Sequence, residues 1–136
     1  MMDATHSPQL RSWVASANGH PDFPIQNLPF GIIQPRGETR RGGVAIGDEV
    51  LDLARLSASG LLAGDAQMAC ALAAQTTLNA FLGLGPKPRR ALRAALSDLL
   101  KEGAQPRHGL LHAAKDCRLH LPAKIGDYTD FYASLH

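Results

Sequence analysis

The stretch Gly43-Val44-Ala45-Ile46-Gly47-Asp48-Glu49-Val50-Leu51-Asp52-Leu53 decides the fold. Two short β-rich runs, residues 44–46 and 50–53, flank Gly47-Asp48-Glu49. A Gly-Asp step between apolar runs signals a tight hairpin, because glycine takes positive φ without a steric penalty. Upstream, Phe30-Gly31-Ile32-Ile33 is another β-rich run. Residues 34–43 are polar and glycine-rich and read as a loop. Residues 23–56 thus carry three or four short strands with glycine turns, a pattern that predicts a small barrel.

Downstream the texture turns helical. Residues 66–74 are alanine-rich, and Thr76-Thr77-Leu78-Asn79-Ala80-Phe81-Leu82 places a threonine where an N-cap belongs, ahead of Gly83 and Gly85. Pro88 suits the start of a further helix. Within it Leu92, Ala95, Leu96, Leu99 and Leu100 recur at helical spacing and form one apolar face, with Gly103 as the stop. Short helices persist only when such a face is packed. Residues 117–121 alternate weakly and predict one more strand. Upstream of the first strand the chain is polar, broken by proline and glycine, and reads as an irregular arm.

Bulk composition narrows the function classes. The chain has 136 residues, 45% hydrophobic and 19% charged, which suits one globular domain and excludes a wholly disordered chain. A net charge of +2 is too mild to imply a nucleic-acid partner. No apolar run is long enough for a membrane helix, and the N-terminus has no compact apolar stretch of the signal-peptide kind, so a cytoplasmic location is expected. Cys70 and Cys117 stand far apart, outside any metal-ligand spacing, and read as reduced packing residues.

The chemistry-bearing residues gather in Ile125-Gly126-Asp127-Tyr128-Thr129-Asp130-Phe131-Tyr132. Asp127 and Asp130 are three apart, so in a turn they face roughly the same way. Two such carboxylates read either as a solvated turn with aromatic packing or as half a site for a hard cation, since calcium and magnesium take oxygen ligands. Calcium needs six to eight of them, roughly, and this run alone supplies too few. His108 and His112 lie at a helical spacing but lack a third ligand and read as ordinary surface histidines. Residues 31–47 contain glycines but no phosphate-loop pattern. Lys87, Arg89, Arg90 and Arg93 open a helix where cations oppose its dipole, and read as a solvated face or a weak anion contact.

Four blocks together resemble the fumarylacetoacetase family. Residues 22–31, Asp-Phe-Pro-Ile-Gln-Asn-Leu-Pro-Phe-Gly, are similar to its opening signature. Residues 43–53 resemble its following hairpin, residues 76–85 a third block, and residues 121–132 the start of its catalytic domain. The blocks fall in family order over nearly the whole chain. The resemblance implies an α+β fold: a small β-barrel of the Src-homology type with short helices, followed by the truncated start of a β-rich catalytic domain. It divides the chain into an arm at residues 1–22, an N-terminal domain at 23–120 and the catalytic-domain start at 121–136.

The implied reaction is hydrolysis of a carbon–carbon bond in 4-fumarylacetoacetate, giving fumarate and acetoacetate in tyrosine and phenylalanine catabolism. A calcium or magnesium ion is implied as cofactor, with Asp130 matching a metal ligand and Tyr132 a substrate contact. Asp127 matches a motif position without a ligand role. The catalytic base is expected at the position after His136, so His136 is its neighbour, and the remaining metal ligands are expected downstream. The full-length protein is expected to be a homodimer with no nucleic-acid or membrane partner, and this chain alone is expected to be inactive. The alternative is a stand-alone barrel-type binding or assembly module without catalysis.

Overall fold

The computed structural model describes residues 2–131, 133 and 134. Five antiparallel strands form one sheet: β1 (Phe30–Pro35), β2 (Arg41–Ile46), β3 (Glu49–Asp52), β4 (Leu111–Ala113) and β5 (Cys117–His120), in the order β4-β3-β2-β1-β5. The expected hairpin joins β2 to β3, with Ile46 opposite Glu49 and Gly47-Asp48 as the turn. Gly47 has φ +56°, and a Cβ there would lie 2.3 Å from the Ser16 hydroxyl oxygen, so the turn needs glycine twice over.

The expected loop over residues 34–43 shrinks to residues 36–40, because Gly42 and Gly43 are strand residues. Glycine is a poor strand former in general, and space explains its presence here. A Cβ on Gly42 would sit 1.7 Å from the Ala73 carbonyl oxygen. A Cβ on Gly43 would sit 2.8 Å from Val50 Cγ1 and 3.0 Å from Ile33 Cδ1. The first glycine lets a helix lie on the sheet, and the second leaves the space that the Ile33 and Val50 side chains fill.

Among the described residues four α-helices follow β3: α1 (Leu53–Ala58), which begins at Leu53 where a strand residue was expected, and α2 (Gly64–Ala73), α3 (Asn79–Leu82) and α4 (Pro86–Leu100) in the stretch expected to be helical. The predicted apolar face of α4 is realised, with Leu92, Leu96 and Leu100 fully buried. They join Ile32, Val44, Ile46 and Leu51 of the sheet and Ala69, Cys70 and Ala73 of α2 in one core. Cys70 packs as expected, and burial pushes its thiol up to about 12. The expected threonine cap is not used: α3 starts at Asn79, and its N-cap residue Leu78 makes no side-chain cap bond.

The irregular arm holds two single-turn 3-10 helices, Ala4–His6 and Ala15–Ala17. It clamps the end of α4. Ser12 Oγ and the Trp13 amide donate to the Leu100 carbonyl, and Trp13 Nε1 donates to the Leu99 carbonyl at 2.8 Å. These bonds satisfy carbonyls that a helix C-terminus leaves without partners. Val14 and Ala17 enter the core.

The α+β expectation holds, whereas the expected small barrel is met only by an open sheet: the hydrogen-bond ladder is not closed, with β4 and β5 at its two edges. The connection between them is short, a 3-10 turn at Ala114–Asp116. Four Cα steps reach at most about 14 Å, while the edges of a flat five-stranded sheet stand about 19 Å apart. The sheet therefore curls. The turn ties it in that shape, since the Ala114 amide donates to the Asp48 carbonyl and the Arg36 amide to the Asp116 carbonyl. A 3-10 turn, unlike a hairpin, does not lay β4 and β5 side by side, and the roll stays unsealed.

Candidate functional site

The acidic-aromatic run leaves the sheet after β5, and its root is fastened to α3. The Leu78 amide donates to the Pro122 carbonyl at 2.7 Å. The Asn79 side-chain amide donates to the Lys124 carbonyl at 2.9 Å and accepts from the Lys124 amide at 2.8 Å. A carboxamide thus imitates one step of a β-ladder and fixes where the run departs. Asn79 lies inside a block singled out in the sequence, but its role there was not legible.

Past Lys124 the run is solvent-facing. Ile125, Tyr128 and Phe131 are 71%, 84% and 80% exposed, and Asp127 and Asp130 are exposed too. Among the described residues neither carboxylate has a hydrogen-bond or ion-pair partner. Tyr132 and His136 lie outside the described residues. Of the sequence-predicted site residues the structure thus describes Asp127 and Asp130, both on the exposed run. The described part of the run offers two carboxylates, short of a calcium shell of roughly six to eight oxygens, so these residues do not fit a complete cation site.

A second acidic group lies at the mouth of the roll. Glu38, Asp52 and His112 present donor atoms within 4.8 Å of one another. Asp52 ends β3, and its side chain is fully buried. One oxygen caps α1, accepting from the Ala54 and Arg55 amides at 2.9 and 3.0 Å. The other accepts from Arg41 Nη1 at 3.2 Å and from His112 Nε2 at 2.8 Å, with Arg55 Nε at 3.5 Å. Glu38 completes the network, taking Arg41 at 2.7 Å and Arg55 at 2.8 Å.

Burial would raise the Asp52 carboxyl, but the bonds from His112, the Arg55 amide and Arg41 outweigh it and hold the pKa below its ordinary value. Two guanidinium groups already balance two carboxylates. A divalent cation added here would displace or face both, so the group is an ion-pair staple joining β2, β3, β4 and α1. His108 and His112 do not meet: His108 stands edge-on to Trp13 at 5.1 Å, while His112 turns to Asp52. Arg93 is no solvated cation either, since it donates to Thr5 Oγ1 and to the Gln26 and Asn27 carbonyls and so ties α4 to the arm.

A third place holds Ser16, His20 and Asp48, the residue types of a nucleophile, a base and an orienting acid. Ser16 Oγ accepts from the Asp48 amide, and His20 Nε2 lies 3.5 Å from Asp48 Oδ1. His20 Nδ1 accepts from the Asp22 and Phe23 amides at 3.1 and 2.9 Å. The imidazole therefore has no free nitrogen to take a proton from Ser16, and the set is not a nucleophile–base pair.

Comparison with known proteins adds what geometry alone does not. Residues 26–122 match a family model described as Fumarylacetoacetase N-terminal. A fumarylacetoacetase of Oryza sativa subsp. japonica is 41% identical over 147 aligned positions, covering 100% of this chain and 34% of its own length. One of Caenorhabditis elegans is 42% identical over 137, covering 93% and 32%. One of Homo sapiens is 40% identical over 124, covering 83% and 29%. The chain spans about a third of the length of the curated relatives it matches.

Proposed function

The chain belongs to the fumarylacetoacetase N-terminal family, and from that premise we propose that it forms the N-terminal part of a fumarylacetoacetase. The reaction proposed for the full-length protein is addition of water across a carbon–carbon bond of 4-fumarylacetoacetate, releasing fumarate and acetoacetate in tyrosine and phenylalanine catabolism. The observation that carries this reading is identity near 40% to named fumarylacetoacetases over 83–100% of the chain. The division into an arm at 1–22, a domain at 23–120 and a catalytic-domain start at 121–136 belongs to the same proposal, as do a cytoplasmic location and a homodimeric full-length protein. No helix among the described residues is long and apolar enough to cross a membrane.

Within that reading Asp130 is one ligand of a calcium or magnesium ion, which when bound supplies Lewis-acid stabilisation of developing negative charge. Tyr132 contacts substrate, and the general base is the residue after His136. Beyond these two residues, this chain's contribution is positional. The α3 contacts to Pro122 and Lys124 set the point from which Asp130 is presented. With too few oxygens for a cation, the 136-residue chain alone is inactive and binds calcium no more tightly than about millimolar. Calorimetric titration with calcium and a fumarate-release assay on this chain test the point. Tight stoichiometric binding, or fumarate release by the chain alone, contradicts the assignment of ligands and base beyond it. The module reading, without catalysis in any longer form, is separated from this one by whether residues 1–136 support activity when joined to the rest of a fumarylacetoacetase.

A further inference from the structure

The chain's one tryptophan stands in an open groove of about 800 Å3 where the arm meets the rolled sheet. One wall carries Trp13, His20 and Phe23 from the segment before β1; the other carries Asp48 of the β2–β3 turn, Glu49 at the start of β3 and Lys115 of the β4–β5 connection. Both aromatic rings are held by imidazoles. His108 meets Trp13 edge-on at 5.1 Å, and His20 stacks on Phe23 at 5.4 Å. The indole N–H is already spent on the Leu99 carbonyl, so Trp13 offers the groove its ring and not a donor.

The electrostatics follow from hydrogen bonds. Because His20 Nδ1 accepts from two backbone amides, the proton of its neutral form sits on Nε2, toward Asp48. That contact orients the Asp48 carboxylate without cancelling its charge, and the Asp48 side chain is 80% exposed. Two carboxylates then face one ammonium, Lys115, in the groove, while the whole chain carries +2. The groove is a negative spot on a net positive chain, floored by aromatic rings.

We propose that this groove binds a small organic cation with an aromatic or branched apolar body. The body lies against Trp13 and Phe23, and the cationic head meets Asp48 and Glu49. The rings offer apolar surface to the body, the carboxylates offer opposite charge to the head, and the volume falls in the range of small-ligand sites, roughly 300–1,000 Å3. An anion of the same shape would meet two carboxylates. Binding makes and breaks no covalent bond.

Trp13 fluorescence reads occupancy directly. Three probes share one body and differ in the head: phenethylammonium, 2-phenylethanol and phenylacetate, each titrated at about pH 8, where the ammonium is charged and the carboxylate ionised. The ammonium saturates the signal at the lowest concentration, about fivefold or more below the alcohol, and phenylacetate is weakest. The double variant Asp48→Asn, Glu49→Gln lowers ammonium affinity about fivefold and leaves the alcohol unchanged, with the far-UV circular dichroism retained. Should that variant fail to fold, Lys115→Met, on the exposed rim, tightens ammonium binding severalfold. Phenylacetate binding as tightly as the ammonium overturns the proposal. So does a lack of saturable response in both fluorescence and calorimetry, or an ammonium affinity indifferent to these substitutions.

Discussion

Asp52 caps α1 with one carboxylate oxygen and holds His112, Arg41 and Arg55 with the other. Asparagine caps a helix nearly as well as aspartate, so Asp52→Asn isolates the charge. It should destabilise the chain by about 2 kcal/mol near neutral pH, measured by urea unfolding. The pH dependence has a definite sign. The folded pKa lies below the ordinary 3.8, so the stabilisation is fully present above that value and is lost as pH falls through the folded pKa. The gap between wild type and Asp52→Asn should therefore close below about pH 4; a gap that widens on acidification would contradict the network. Two strand glycines, Gly42 of β2 and Gly31 of β1, make a sharper steric test. Gly42→Ala sets a methyl against the Ala73 carbonyl and should cost more than about 3 kcal/mol. Gly31→Ala has no atom within 4 Å of the new carbon and should stay within about 1 kcal/mol of wild type. None of this was legible in the sequence: the 60-residue separation of Asp52 and His112 hides their pairing, and Arg41-Gly42-Gly43 carries the signature of a loop.

The elements were easier to read where one local rule sufficed. The β2–β3 hairpin announced itself by Gly47-Asp48 between apolar runs, and α4 by its leucine spacing. The cap of α3 misled, because Thr76 and Thr77 precede a helix that begins only at Asn79. The arm shows the other limit of local reading, since its order comes from bonds to α4 that no local pattern encodes. Arg93→Met removes the ties to Thr5, Gln26 and Asn27 while keeping the apolar stem of the side chain. It should cost about 1–2 kcal/mol and speed amide exchange in residues 3–27, leaving β1 to β3 as protected as before. Uniform loss of protection across the sheet would mean that the arm is not a separate clamped element.

At the scale of the whole molecule, class and architecture were differently legible. The α+β class follows from the change in periodicity along the chain. The open, curled sheet follows instead from a three-residue connection between edge strands, a fact of topology that no strand signal contains. The candidate site was legible only as an ordered set of family blocks, and the described structure leaves Asp127 and Asp130 exposed. The proposal therefore turns on what this chain does when joined to the part of a relative that it does not match. A chimaera carrying residues 1–136 ahead of the remaining two thirds of the rice fumarylacetoacetase poses that question directly, with fumarate release from 4-fumarylacetoacetate in the presence of calcium as the readout. The chimaera should be active, and Asp130→Ala within it should lower the rate about a hundredfold or more; a folded chimaera that releases no fumarate, or one indifferent to the loss of Asp130, would contradict the assignment.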